Sequence, residues 1–289
     1  MSRCFELRYA LVRKVTNPPC FTLFMKKSFF AALCAVLVSS TNAVFGGEIL
    51  RVDWADSGWG GDPKYTKNPD HRILIANRGQ EGLQVLDDKS QPPSPFDNKA
   101  AALLVESTPT DEFSFRLCFR PLEAEEVQSG VAELNIRPVD GAVAIRAGSQ
   151  PTPWNPAAPE SYDLASGQGS FTISLKPGAE ATLQGLQVET DSIDLIASDT
   201  NYRLTIKWNL TPEFNEVRIF LNGEAVRPRG SKTPLNVSLS KKGGKSLNAF
   251  RISLGSAEEK HGKLYIGPLA AASGANPVMD QADDPLLTK

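Results

Sequence analysis

The sequence predicts an all-β fold, a sandwich of two antiparallel sheets, on three observations. Apolar and polar residues alternate with period two in stretch after stretch. Gly (22) and Pro (21) punctuate short apolar runs, as turns between strands do. No window of eleven or more residues beyond Ala43 carries the 3.6-residue apolar stripe of an amphipathic helix.

The chain opens with residues 1–24, which hold Arg3, Arg8, Arg13 and Lys14 without periodicity and read as an extension ahead of the true start at Met25. Residues 25–43 then form a complete secretory signal: Met25-Lys26-Lys27, an apolar run from Ser28 to Val38, and small residues up to Ala43. The apolar run falls well short of the ~20 residues a membrane-spanning helix needs, so no stable membrane span is expected. The predicted address is extracytoplasmic: periplasm, cell surface or medium. Cys34 lacks the small residues that lipid attachment requires before it.

Six of the 31 basic and one of the 33 acidic residues precede Ala43, so the remainder carries 25 against 32, a formal net charge of −7. That sign argues against nucleic acid as a partner. Cys118 is the one cysteine left, which excludes an internal disulfide. Residues 44–272, within the size range of one sandwich, are read as a single domain, with residues 273–289 as a flexible tail.

Several strands are predicted in order. Weak ones run over Ile49–Val52, Ile73–Ala76, Leu83–Leu86 and Ala101–Val105. Phe113, Phe115, Leu117 and Phe119 then alternate with Ser114, Arg116, Cys118 and Arg120. Ala132, Leu134 and Ile136 alternate with Glu133, Asn135 and Arg137; Asp140-Gly141 and Val143 to Ile145 follow, which predicts a hairpin. Pro151, Pro153, Pro156 and Pro159 mark a surface loop over residues 150–160. Weak strands are expected at Phe171–Leu175, Leu183–Val188 and Ile193–Ala197. Tyr202, Leu204, Ile206 and Trp208 form an inward set against Arg203, Thr205, Lys207 and Asn209, which makes Trp208 core. Val217, Ile219 and Leu221 lead into Asn222-Gly223, the preferred two-residue hairpin turn. Phe250–Leu254 and Leu264–Ile266 close the series.

The succession Glu216-Val217-Arg218-Ile219-Phe220-Leu221-Asn222-Gly223, Ala249 to Gly255 and Lys263 to Leu269 resembles the concanavalin A-like, laminin G-like jelly-roll superfamily over residues from about 98 to 273. The resemblance implies a jelly-roll sandwich with carbohydrate recognition as the commonest role. Gly267-Pro268 stand where many members carry an acidic residue, so no calcium ligand is transferred.

Candidate sites follow. Glu189, Asp191 and Asp194 approximate the Glu-x-Asp-x-x-Glu strand of laminarinase-type glycoside hydrolases in that superfamily, with the third side chain one methylene short. Trp54, Trp59, Tyr65 and Trp154 lie off the alternating core pattern and are candidate platforms for stacking on a sugar face. Asp53, Asp56 and Asp62, among glycines, are weak candidates for Ca²⁺; no cofactor is otherwise expected. Arg116, Arg120, Arg137, Arg203, Lys207, Arg218 and Arg251 occupy outward positions and would form a basic face if they shared a sheet. His71 and His261 are the two histidines beyond Ala43 and read as surface loop residues, and no nucleophile elbow, HExxH or phosphate-cradling loop occurs. The sequence therefore reads as a secreted non-catalytic binding module with polysaccharide or surface glycan as partner. Its alternatives are a glycoside hydrolase or polysaccharide lyase, and a structural or protein-interaction component of the cell envelope. Oligomeric state stays open.

Overall fold

The computed structural model describes residues 49–52, 54–55, 73–77, 83–96, 100–107, 115–119, 128–148, 170–211, 214–239, 247, 249–255 and 262–273. The chain divides into Met1–Asn42 and Ala43–Lys289, and every described residue belongs to the second unit. The described residues are all-β: β1 Ile49–Val52, β2 Ile73–Asn77, β3 Leu83–Leu86, β4 Ala102–Ser107, β5 Phe115–Phe119, β6 Ser129–Asp140, β7 Ala142–Gly148, β8 Ser170–Leu175, β9 Ala181–Leu183, β10 Leu186–Glu189, β11 Tyr202–Asn209, β12 Glu216–Leu221, β13 Glu224–Ala225, β14 Arg227–Pro228, β15 Ala249–Gly255 and β16 Gly262–Ser273. No helix among them is long and apolar enough to cross a membrane.

These strands form two antiparallel sheets. Sheet A runs β13-β12-β11-β6-β16-β4-β3, with β1 also paired to β16; sheet B runs β14-β10-β9-β8-β7-β15-β5-β2. One buried cluster takes side chains from both, among them Leu134, Ile206 and Ile219 of sheet A and Ile145, Ile173 and Ile252 of sheet B. Trp208 of β11 meets Phe250 of β15 with ring centroids 6.1 Å apart, a direct contact between the layers. This is the predicted sandwich, and the inward set on β11, Trp208 included, lies where its alternation places it.

The Asn222-Gly223 hairpin joins β12 to β13, with both turn residues at positive φ (52° and 88°) and Phe220 opposite Ala225. Other expectations need correction. Asp140-Gly141 does not close a hairpin: β6 pairs with β11 and β16 in sheet A, whereas β7 pairs with β8 and β15 in sheet B. Gly141, at φ 80°, turns the chain from one layer into the other. The predicted strand Leu183–Val188 is broken by a second two-residue turn, Gln184-Gly185 at φ 51° and 82°, so β9 folds back on β10 with Leu183 opposite Leu186. Ile193–Ala197 is no strand. Ile196 is instead tethered through its backbone to Ala179 and Gly178 and buries its side chain in the core.

The last strand also continues past Ile266. Its register against β6 shifts between Ile266 and Leu269, so Gly267-Pro268 form a bulge, after which Leu269 and Ala271 face the core. A proline cannot donate to the ladder, and the bulge accommodates it. The loop 150–160 and the tail beyond Ser273 lie outside the described residues.

Candidate functional site

The acidic triplet sits where the edge of sheet B meets the end of β13. Val188 points into the core, so the next residue, Glu189, faces outward at the end of β10, opposite Arg227 of β14. Arg227 grips two carboxylates: Nη2 lies 3.4 Å from Glu189 Oε1, and Nη1 donates to Asp191 Oδ1 at 2.5 Å. Gly230 N–H adds a 2.9 Å bond to Glu189 Oε1. The chain turns at once after β10: Thr190 N–H donates to Ile193 O, and Ile193 N–H donates back to Thr190 Oγ1, both at 3.0 Å.

That turn prevents the three carboxylates from sharing one strand face. Asp191 projects into solvent, 86% exposed, and Asp194 lies outside the cavity. The third carboxylate of the cavity is Glu224 of β13, which accepts from Ser192 N at 2.9 Å and from Ser192 Oγ at 3.0 Å. The cavity encloses about 580 Å³ and is lined by Glu189, Asp191, Glu224, Arg227, Lys232 and Pro234. Sequence spacing had no means of finding Glu224 and Arg227, which arrive from the two short strands beyond the Asn222-Gly223 turn.

The hydrogen bonds around Glu224 favour its ionised form. The Thr190 hydroxyl, then the Ser192 hydroxyl and the backbone N–H groups of Ser192 and Asp191, hold the Glu224 carboxyl below its ordinary value. Glycoside hydrolysis needs one carboxylic acid whose proton is retained near neutral pH. Glu224 is pushed the other way.

Trp54 requires a correction. It is 1% exposed within the core, and its indole Nε1 donates to Gly267 O at the β16 bulge at 2.7 Å. Its faces pack against protein and offer no stacking platform. Trp59, Tyr65, Trp154, Asp53, Asp56 and Asp62 lie outside the described residues, as do His71 and His261. Among the described residues no group of three or more His, Cys, Asp or Glu side chains is placed to hold a metal ion.

The outward basic residues divide between the two sheets, four of them on sheet A. Arg137, Arg203, Lys207 and Arg218 belong to sheet A, while Arg116 and Arg251 belong to sheet B; Arg120 lies outside the described residues. The two outer faces also differ in kind. On sheet A, Val131, Glu133, Thr205, Lys207, Asn209 and Phe220 are all buried. Lys207 is 0% exposed, its Nζ 5.6 Å from the centroid of the Phe220 ring. Alternation identifies the correct side of β11, but that side is covered, so Lys207 is not a solvated surface lysine. Arg137 is committed elsewhere, donating to Asp199 Oδ1 at 2.8 Å.

Arg137, Arg203 and Arg218 on the same side of sheet A stay partly exposed, and on sheet B most of one outward row is accessible. Ladder register aligns Gln187, Thr182, Ser174, Ala144 and Ser253 on β10, β9, β8, β7 and β15, and all except Ser253 are at least partly exposed. The neighbouring outward row holds Thr172, Arg146 and Arg251. Besides Ser, Thr and Ala side chains, this face carries Gln187, Arg146 and Arg251, with Glu189 and Arg227 at its β10–β14 edge.

No family model matches the chain, and no curated protein matches it. Among solved structures, the protein of unknown function SO2946 from Shewanella oneidensis MR-1 aligns with 91% of this chain and 99% of its own, at 13% identity and a TM-score of 0.45. The Emp47p carbohydrate recognition domain aligns over 78% of this chain and 100% of its own, at 11% identity and a TM-score of 0.37. Winged bean acidic lectin, solved with methyl-α-D-galactose, aligns over 78% and 99%, at 8% identity and a TM-score of 0.37.

Proposed function

We propose that this protein is a secreted, non-catalytic binding module of jelly-roll type that takes carbohydrate on the outer face of sheet B. The observation that carries the reading is the row on sheet B in which Gln187, Thr182 and Ser174 expose amide and hydroxyl side chains, where sheet A buries Glu133, Thr205, Lys207 and Asn209. Strands lie about 4.8 Å apart, so Gln187, Thr182 and Ser174 present hydrogen-bonding groups at regular intervals across the sheet. A ligand bearing hydroxyls along its length satisfies such a row repeatedly, and short side chains let it approach closely. The signal at residues 25–43 supports an extracytoplasmic location.

The runner-up, a polysaccharide-degrading enzyme, draws on the cavity with Glu189, Asp191 and Glu224. The depressed Glu224 carboxyl and the Arg227 clamp count against it. A glycan array combined with a reducing-sugar release assay separates the readings. Retention without release supports the binding module, release establishes the enzyme, and silence in both favours a structural or protein-binding role.

A further inference from the structure

Residues 222–234 tie the edge of sheet A to the edge of sheet B and build most of the cavity between them. β13 places Glu224 in sheet A and β14 places Arg227 in sheet B. Between the two strands Val226 is buried in the common core, and its N–H donates to Ile219 O at 2.9 Å. Beyond β14 the chain reverses at Gly230, whose φ of 73° suits glycine, and Ser231 N–H donates to Pro228 O at 2.9 Å. Ser231 Oγ then accepts from Thr233 N–H at 3.1 Å, so Lys232 stands between two tethered residues. The walls are set by turns and by the core, and the volume of about 580 Å³ falls in the range of small-molecule sites.

The charges of this cavity are not all balanced within it. Arg227 takes Glu189 and Asp191. Glu224 is held in its ionised form by neutral partners: the hydroxyls of Thr190 and Ser192 and the backbone N–H groups of Ser192 and Asp191. Among the described residues, neither Glu224 nor the exposed Lys232 has an oppositely charged side chain within ion-pair distance. One cavity thus presents a carboxylate and an ammonium that do not meet each other.

We propose that this cavity binds a zwitterion, a molecule whose ammonium group meets Glu224 and whose carboxylate meets Lys232, which is the chemistry of a free amino acid or a short peptide. Both contacts are charge-assisted hydrogen bonds, stronger than neutral ones. A ligand with a single charge satisfies one end of the site and sets its other end against an unmatched charge, and a neutral sugar satisfies neither. The site does not depend on the outward row of sheet B, so it stands or falls separately from the carbohydrate reading.

The test is a titration of the full protein followed by ¹H–¹⁵N correlation NMR, with glycine, triglycine, N-acetyl-triglycine and triglycine amide as probes. The expected result is saturable shifts at the amides of Ser192, Glu224 and Lys232 with a probe that carries both charged ends, and affinity at least about tenfold weaker when either end is blocked. Glu224→Gln weakens triglycine by the same factor and leaves the affinity for N-acetyl-triglycine, which has no ammonium, unchanged. Lys232→Ala does the same with triglycine amide as the insensitive probe, and its place on an exposed turn decides the matter if Glu224→Gln fails to fold. Glycine binding as tightly as triglycine assigns a free amino acid; binding of triglycine alone assigns a peptide. Equal affinity for blocked and unblocked peptides, shifts confined to other parts of the protein, or no shift with any probe overturns the proposal. Each of these overturning results leaves glycan retention on the array untouched.

Discussion

Replacing Trp54 with Phe separates a core tryptophan from a ligand platform. The indole donates to Gly267 O inside the β16 bulge at 2.7 Å, and Trp54 is buried within the common core. Phe keeps an aromatic ring but removes the donor, which leaves a buried carbonyl without its partner at a cost of about 1–3 kcal/mol. The smaller ring also leaves a void larger than a methyl group, worth about 1 kcal/mol more. The sum is about 2–4 kcal/mol, and for a domain of this size each kcal/mol moves Tm by about 2–4 °C. Urea unfolding followed by tryptophan fluorescence and circular dichroism reads the change as a lower midpoint at unchanged slope. Glycan retention, measured well below the midpoint, stays at the wild-type level. A midpoint within about 0.5 kcal/mol of wild type together with lost glycan retention would refute the reasoning and return Trp54 to the binding surface.

Three further outcomes follow from the same geometry. A Cβ at Gly130 would lie 2.4 Å from Trp208 Cζ2 and 2.6 Å from Ala272 O, so Gly130→Ala destabilises by about 1–3 kcal/mol or more in urea unfolding, as overpacking against an immobile ring does. Asn222 sits at φ 52° and accepts from Arg203 N at 2.8 Å, so Asn222→Ala costs about 1–2 kcal/mol in the same assay, and a neutral result would remove the turn from the account. Glu224 is held below its ordinary value of 4.5 in the folded protein, so the unfolded chain binds its proton more readily. Its contribution is therefore complete above about pH 5 and is lost as pH falls through the lowered folded value, and a melting series from pH 7 to pH 3 shows a shallower acid loss for Glu224→Gln than for wild type.

Period-two alternation made β11, β12 and β15 legible because each has one face in a common core, and Asn222-Gly223 was legible because few residue pairs accept two consecutive positive φ values. The same turn signal at Asp140-Gly141 misled, since a glycine corner that passes the chain between layers uses the same residues as a hairpin. Lys207 shows a different limit. Alternation assigns a side chain to a side of the sheet and carries no information about whether that side is covered. The cavity was half legible: Glu189 and Asp191 line it, but Glu224 and Arg227 come from elsewhere in the chain, and the turn at Thr190 breaks the spacing that singled out Asp194.

The binding-module reading rests on the outer side of sheet A being covered around Lys207 while a polar row on sheet B is accessible. Amine acylation of the native protein, with labelled lysines located by mass spectrometry, reads that difference directly at Lys207, which is 0% exposed, against the exposed Lys176 and Lys232. The account predicts rapid labelling of Lys176 and Lys232 with Lys207 untouched until the protein is unfolded. Labelling of Lys207 at the rate of the other two in the folded protein would contradict it.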